Sequence, residues 1–423
     1  MCSPPLQLRS FLLRRYCQVV IILCSHLSRK MNVAVILLVL ITCAGSLDAV
    51  VTCPDNCFCL SDTKVICNGG GLADLPLNLP DTVEELSFDR NNLSSLTTDM
   101  FREWRKLRDI SLNDNQIRII KPFAFRGLGH LKKIFIQNNP LTELPQFAFA
   151  GLENVSQINL CNNKISNIQS YVFAGSRNLG MILIQDNPLI RIQAKAFSGL
   201  RTVQFIYLPS WVKVIESDSF FDLQGVGLLR LHSLDLHALR PYTFRGLKNV
   251  TQISIQESDL GIVKDKAFEG LYNVGELRII NNKVDELESL EVLEESNVDG
   301  VIVQGNHFLQ VNKEQPFRIH ANQRTVVTGN YVPCSCQLWW VLESPLAKNN
   351  SLFIRHNYCV SPFVLHGKAI TIVDQENLPR CPASQELQLP SNQDPSKASS
   401  ATASASTTSI NNAIFFILIF PFW

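Results

Sequence analysis

The chain has 423 residues, 46% of them hydrophobic and 18% charged, with a formal net charge of +1 at pH 7. A chain of this length can bury a sizeable core, and the near-neutral balance, with no Lys/Arg cluster above background, excludes electrostatic capture of nucleic acid. No H-E-x-x-H, G-x-S-x-G or phosphate-cradling glycine loop is present, and the eight histidines are scattered without ligand spacing. The sequence therefore reads as a non-enzyme, with no metal and no cofactor expected.

Residues 1–46 read as a signal region. Arg29 and Lys30 precede Met31, an apolar run follows, and Ala44 and Ser46 fit a cleavage site after Ser46. Residues 1–30 add a short apolar run of their own and read as an upstream extension. An uncleaved signal anchor is the alternative, weakened because Arg29 and Lys30 split the two short runs. Residues 52–80 then carry Cys53, Cys57, Cys59 and Cys67 in tight spacing, with CNGGGLADLP leading into the next segment.

From residue 81 to 332 the chain repeats itself. ISLNDNQIRII (110–120), IFIQNNPLTEL (134–144), INLCNNKISNI (158–168) and ILIQDNPLIRI (182–192) are offset by 24 residues each. The unit L-x-x-L-x-L-x-x-N-x-L, with Val, Ile or Phe at some apolar positions, resembles the leucine-rich repeat. Its asparagine register runs Asn91, Asn115, Asn139, Asn163, Asn187, then Trp211, Leu234 and Ser258, then Asn282, Asn306 and Asn330. This predicts about eleven rungs, with one residue deleted before Leu234 and an irregular middle. One rung cannot bury its own apolar face, so rungs stack and bury each other's. A second apolar row, Phe101, Phe125, Phe149, Phe173, Phe197, Phe220, Phe244 and Phe268, is expected to form an internal stack. The register Asn is expected to satisfy backbone groups in the inward turn after each strand.

Residues 333–382 hold a second cysteine group, Cys334, Cys336, Cys359 and Cys381. Spacing alone leaves three connectivities per group, and a zinc site is the alternative. Both groups resemble the cysteine caps of extracellular leucine-rich-repeat proteins. The resemblance implies an α/β-type leucine-rich-repeat solenoid, with a curved parallel β-sheet on the concave face, an irregular convex side and disulfide caps at both ends. It also implies the pairs Cys53 with Cys59, Cys57 with Cys67, Cys334 with Cys359 and Cys336 with Cys381.

Residues 383–412 are Ser/Thr/Ala-rich and read as a flexible stalk, and 413–423 form an apolar tail too short to span a bilayer. Small residues, a polar spacer and an apolar terminus match a glycosylphosphatidylinositol (GPI) signal, with Ser399 or Ser400 as the attachment site. Sequons at Asn92, Asn154, Asn249 and Asn349 fit an extracellular address. Asn154 and Asn249 fall at the same rung position, immediately before the strand, which would set both glycans along one edge.

Period-two alternation points Lys133, Phe135 and Gln137; Met181, Leu183 and Gln185; Phe205, Tyr207 and Pro209; and Leu228, Arg230 and His232 outward. Packing does not require that surface to be apolar. Phe135, Met181, Leu183, Phe205, Tyr207, Leu228, Arg230 and His232 are therefore the expected partner-binding residues. Cys161, on the same outward row as Gln137 and Gln185, is left over after both caps are filled. A shielded free thiol is the plainer reading, and a covalent homodimer the sharper one. Together these features, and the likeness to GPI-anchored family members, imply a cell-surface adhesion protein or ligand-binding co-receptor with extracellular or cell-surface protein partners. A soluble secreted binder in innate immunity or matrix is the alternative.

Overall fold

A computed structural model describes residues 53–312, 315–348, 351–374, 378, 379 and 381. The signal region, the stalk and tail with Ser399 and Ser400, and Asn349 lie outside the described residues.

Thirteen strands form one large sheet. Eleven of them, from Glu85–Ser87 to Arg324–Thr328, are the rungs, each parallel to the next. A hairpin of Phe58–Ser61 and Lys64–Ile66 opens the sheet, its second strand pairing parallel with the first rung. The register follows the sequence period, with Leu86 opposite Ile110, Ile110 opposite Ile134 and Ile134 opposite Ile158. These central residues are at most 2% exposed while their strand neighbours face outward, the alternation a half-buried strand requires. Behind the sheet the Phe row stands as one column. Consecutive rings from Phe101 to Phe268 stack with centroids 5.3–5.8 Å apart, all buried. A shorter outer row, Phe123, Phe147 and Tyr171, stacks beside it.

Rung strands are three residues long in rungs one to four and seven to nine residues in rungs five to ten. Glycine explains part of the change, because a Cβ at Gly227 would sit 2.5 Å from the Gln204 carbonyl oxygen, and one at Gly180 would collide with that of Ser156. The bare backbone lets neighbouring strands close up there. The middle of the solenoid is thus more extensively paired than its asparagine register suggested.

The register asparagines do the expected work. Asn163 Nδ2 donates to the carbonyls of Ile136 and Leu160, both at 2.7 Å, while its Oδ1 accepts from Asn139 N at 2.9 Å. Asn115, Asn187, Asn282, Asn306 and Asn330 repeat the motif, and each register Asn is at most 8% exposed. Ser258 takes over part of the role, its Oγ accepting from Leu234 N at 3.0 Å.

Trp211 requires a correction. In rung five four residues separate buried Ile184 from buried Leu189, whereas in rung six three residues separate Leu208 from Val212. The deleted residue therefore lies in this turn, and the buried asparagine slot is lost with it. Trp211 instead takes a left-handed backbone, φ 68°, and is 69% exposed. The turns of rungs two to five give that left-handed position to Asp114, Asn138, Asn162 and Asp186, and those of rungs seven and eight give it to Ser233 and Glu257. Such backbone costs an ordinary side chain about 1–2 kcal/mol, and Asn and Asp tolerate it best.

Both ends of the stack are closed. Disulfides join Cys53 to Cys59, Cys57 to Cys67 and Cys334 to Cys359, and Cys336 and Cys381 are also disulfide-bonded. The zinc alternative fails, since thiols held in disulfides cannot ligate. Short helices Leu338–Leu342, Pro345–Lys348 and Ser351–Arg355 cover the last rung, burying Leu338, Val341 and Phe353. Among the described residues no helix is long and apolar enough to cross a membrane.

Candidate binding surface on the large sheet

The outward side chains of the rungs form columns, because parallel strands in constant register set equivalent positions side by side. In one column Met181 lies beside Phe205 and Phe205 beside Leu228; in the next, Leu183 lies beside Tyr207 and Tyr207 beside Arg230. These six residues form one contiguous block on rungs five to seven. The Phe205 and Tyr207 rings stack with centroids 6.0 Å apart. Five of the six are partly buried by their neighbours and Arg230 is exposed.

Phe135 stands apart from the block. It pairs with Asn159, and Asn159 with Leu183, so a polar rung separates it from the others. His232 lies at the block's far edge, its Nε2 3.0 Å from Glu257 Oε2 and its Nδ1 2.7 Å from Ser233 Oγ. Charged pairs flank the block on both sides, Lys133 with Asp109 at 3.5 Å and Arg278 with Glu276 at 2.5 Å. The block is thus an apolar, aromatic centre with charged pairs on either side.

Cys161 is a free, partly buried thiol beside this block. Burial pushes its pKa up, the Asp186 carboxylate adds to the rise, and a hydrogen bond with the Gln185 backbone offsets part of it. A thiol held protonated is a poor nucleophile, which works against covalent pairing. Among the described residues no His, Cys, Asp or Glu group is arranged to hold a metal.

Asn92, Asn154 and Asn249 are exposed. Asn154 precedes its strand, but Asn249 is the second residue of the longer strand Lys248–Gln256, so the two sites share a rung position without sharing a strand boundary. Each accepts a hydrogen bond at Oδ1 from the next rung's Asn, Asn178 at 3.1 Å and Asn273 at 2.7 Å. That leaves both Nδ2 atoms, the glycan-bearing atoms of a sequon, at the outer end of the ladder.

A second feature was not anticipated. A groove of about 500 Å³ lies at the turns of rungs four to six, lined among others by Asn162, Lys164, Gln185, Asp186, Ser210 and Trp211. Its sequence signal is the Trp in an asparagine register, which marks the irregular rung but does not reveal that the indole is turned into solvent.

The model for the BspA type leucine rich repeat region matches in six copies, over residues 81–189 and 166–291. Among solved structures, human 5T4 (Wnt-activated inhibitory factor 1, trophoblast glycoprotein) is 16% identical, with 78% of this chain and 98% of that chain covered and a TM-score of 0.37. TLR13, solved in complex with ssRNA13, is 18% identical, with 70% of this chain and 55% of that chain covered and a TM-score of 0.37. This chain thus spans about half the length of TLR13.

Proposed function

Because the chain is a leucine-rich-repeat solenoid closed by disulfide-bonded caps, we propose that it is a cell-surface, GPI-anchored binding protein. It acts in adhesion or as a ligand-binding co-receptor and engages extracellular proteins through the open face of the large sheet. The observation that carries the reading is the contiguous block of Met181, Leu183, Phe205, Tyr207, Leu228 and Arg230. Folding needs only the inward residues of these strands to be apolar, so an apolar, aromatic outward block marks a surface used for contact. Disulfides at both ends support an oxidising, secretory-pathway address. The anchor rests on the small-residue, spacer and apolar pattern of residues 399–423, with attachment at Ser399 or Ser400.

The test expresses the full chain, tagged after residue 46, on cultured cells and treats them with phosphatidylinositol-specific phospholipase C. Release of the tag is expected, and the released protein should bind intact cells. The Phe205→Ser/Tyr207→Ser double variant should be released in equal amount and should not bind. Undiminished binding by the double variant would sink the site assignment, and surface protein that resists the enzyme would sink the anchor. Spontaneous appearance in the medium would favour the soluble secreted binder.

A further inference from the structure

We infer that the groove beside Trp211, which adjoins the outward rows of rungs five and six at Gln185 and Pro209, is a second binding site and takes a neutral oligosaccharide. The groove lies beside the shortened rung-six turn, where the buried asparagine is missing and the Trp211 indole, one of its lining residues, is 69% exposed. Nothing in the packing calls for an indole at this position. It contributes no core burial, and its left-handed backbone suits Asn or Asp, which hold the position in rungs two to five, better than an indole. What sets Trp211 apart is the exposure of its ring: Phe123, Phe147, Tyr171 and Tyr242 share the left-handed backbone, but their rings pack against neighbouring side chains.

The walls define the ligand. Part of the wall is already paired: Asn162 Nδ2 donates to Asn138 Oδ1 at 2.8 Å, and the buried amides of Asn163 and Asn187 are engaged with backbone carbonyls. The remaining polar side chains of the groove, Lys164, Gln185, Asp186 and Ser210, are exposed and make no hydrogen bond or ion pair among the described residues. They supply an ammonium, an amide, a carboxylate and a hydroxyl around one exposed indole. An apolar ligand would strip water from these four groups and give nothing back. An anion would meet Asp186 and a cation would meet Lys164, so the two charges together favour a ligand with none. A sugar ring matches all of it, with a C–H face to lie on the indole and hydroxyls that both donate and accept. This inference does not depend on the sheet-face reading, because none of the six block residues lines the groove.

The experiment titrates the purified full chain with neutral tetrasaccharides of N-acetylglucosamine, glucose and mannose, and with a sulfated heparin tetrasaccharide. Calorimetry and tryptophan emission are the readouts. At least one neutral sugar should bind with a change in emission, and the sulfated one should not bind more tightly. Trp211→Asn should weaken that binding at least tenfold while melting no lower than the wild type, since Asn suits the backbone better. Failure of every neutral sugar to bind, tighter binding of the sulfated one, or equal binding by Trp211→Asn would each overturn the proposal. A variant that melts below the wild type would do so as well, because the indole would then be serving the fold.

Discussion

Replacing Asn163 with Leu removes a buried amide while nearly preserving volume, so it isolates hydrogen bonding from packing. Asn163 Nδ2 donates to Ile136 O and Leu160 O, and its Oδ1 accepts from Asn139 N. Leu160 O keeps a second donor, Asn187 Nδ2 at 2.9 Å. Ile136 O and Asn139 N are left buried and unpaired in the variant. Each such group costs about 1–3 kcal/mol, so the expected loss is about 2–6 kcal/mol. A cooperative unit of about 300 residues has an unfolding entropy of ~0.6 kcal/mol/K, which converts the loss into a drop of about 3–10 °C in Tm. Thermal and urea unfolding of the full chain with disulfides intact would measure it. A shift below about 1 °C would show that water replaces the amide at no cost, and the account of the asparagine ladder would be wrong.

Two further outcomes follow from titratable groups. Partial desolvation, with a smaller contribution from His366, holds the His307 pKa below the ordinary histidine value of 6.5, and the His307 ring stacks on Tyr331 at 4.3 Å. Its folded pKa is depressed, so the unfolded chain takes the proton first and stability falls as pH drops below 6.5. His307→Phe should flatten the dependence of Tm on pH just below that point, and an unchanged slope would refute the assignment. For Cys161, the raised pKa predicts slower labelling by a thiol reagent at pH 8 than an unperturbed cysteine shows. Non-reducing electrophoresis should accordingly give a monomer band, and a reducible dimer lost in Cys161→Ser would contradict this.

The sequence by itself determined the solenoid, because a 24-residue period with inward Leu, Ile and Val has only stacking as a way to bury them. It likewise placed the phenylalanine column, since the same residue at the same offset in eight consecutive rungs must occupy the same place in each. The outward block on rungs five to seven was legible too, through strand alternation, although Phe135 was grouped with residues from which Asn159 separates it. Register between strands made that distinction, and register is a property of the sheet. Only the tertiary structure decided where the missing residue falls. Counting along the chain put Trp211 in an asparagine slot, yet burial of Val212 and the left-handed Trp211 backbone put the deletion inside the turn. A period fixes how many residues a rung has lost; which backbone position is lost depends on which side chains the neighbouring rungs can still bury.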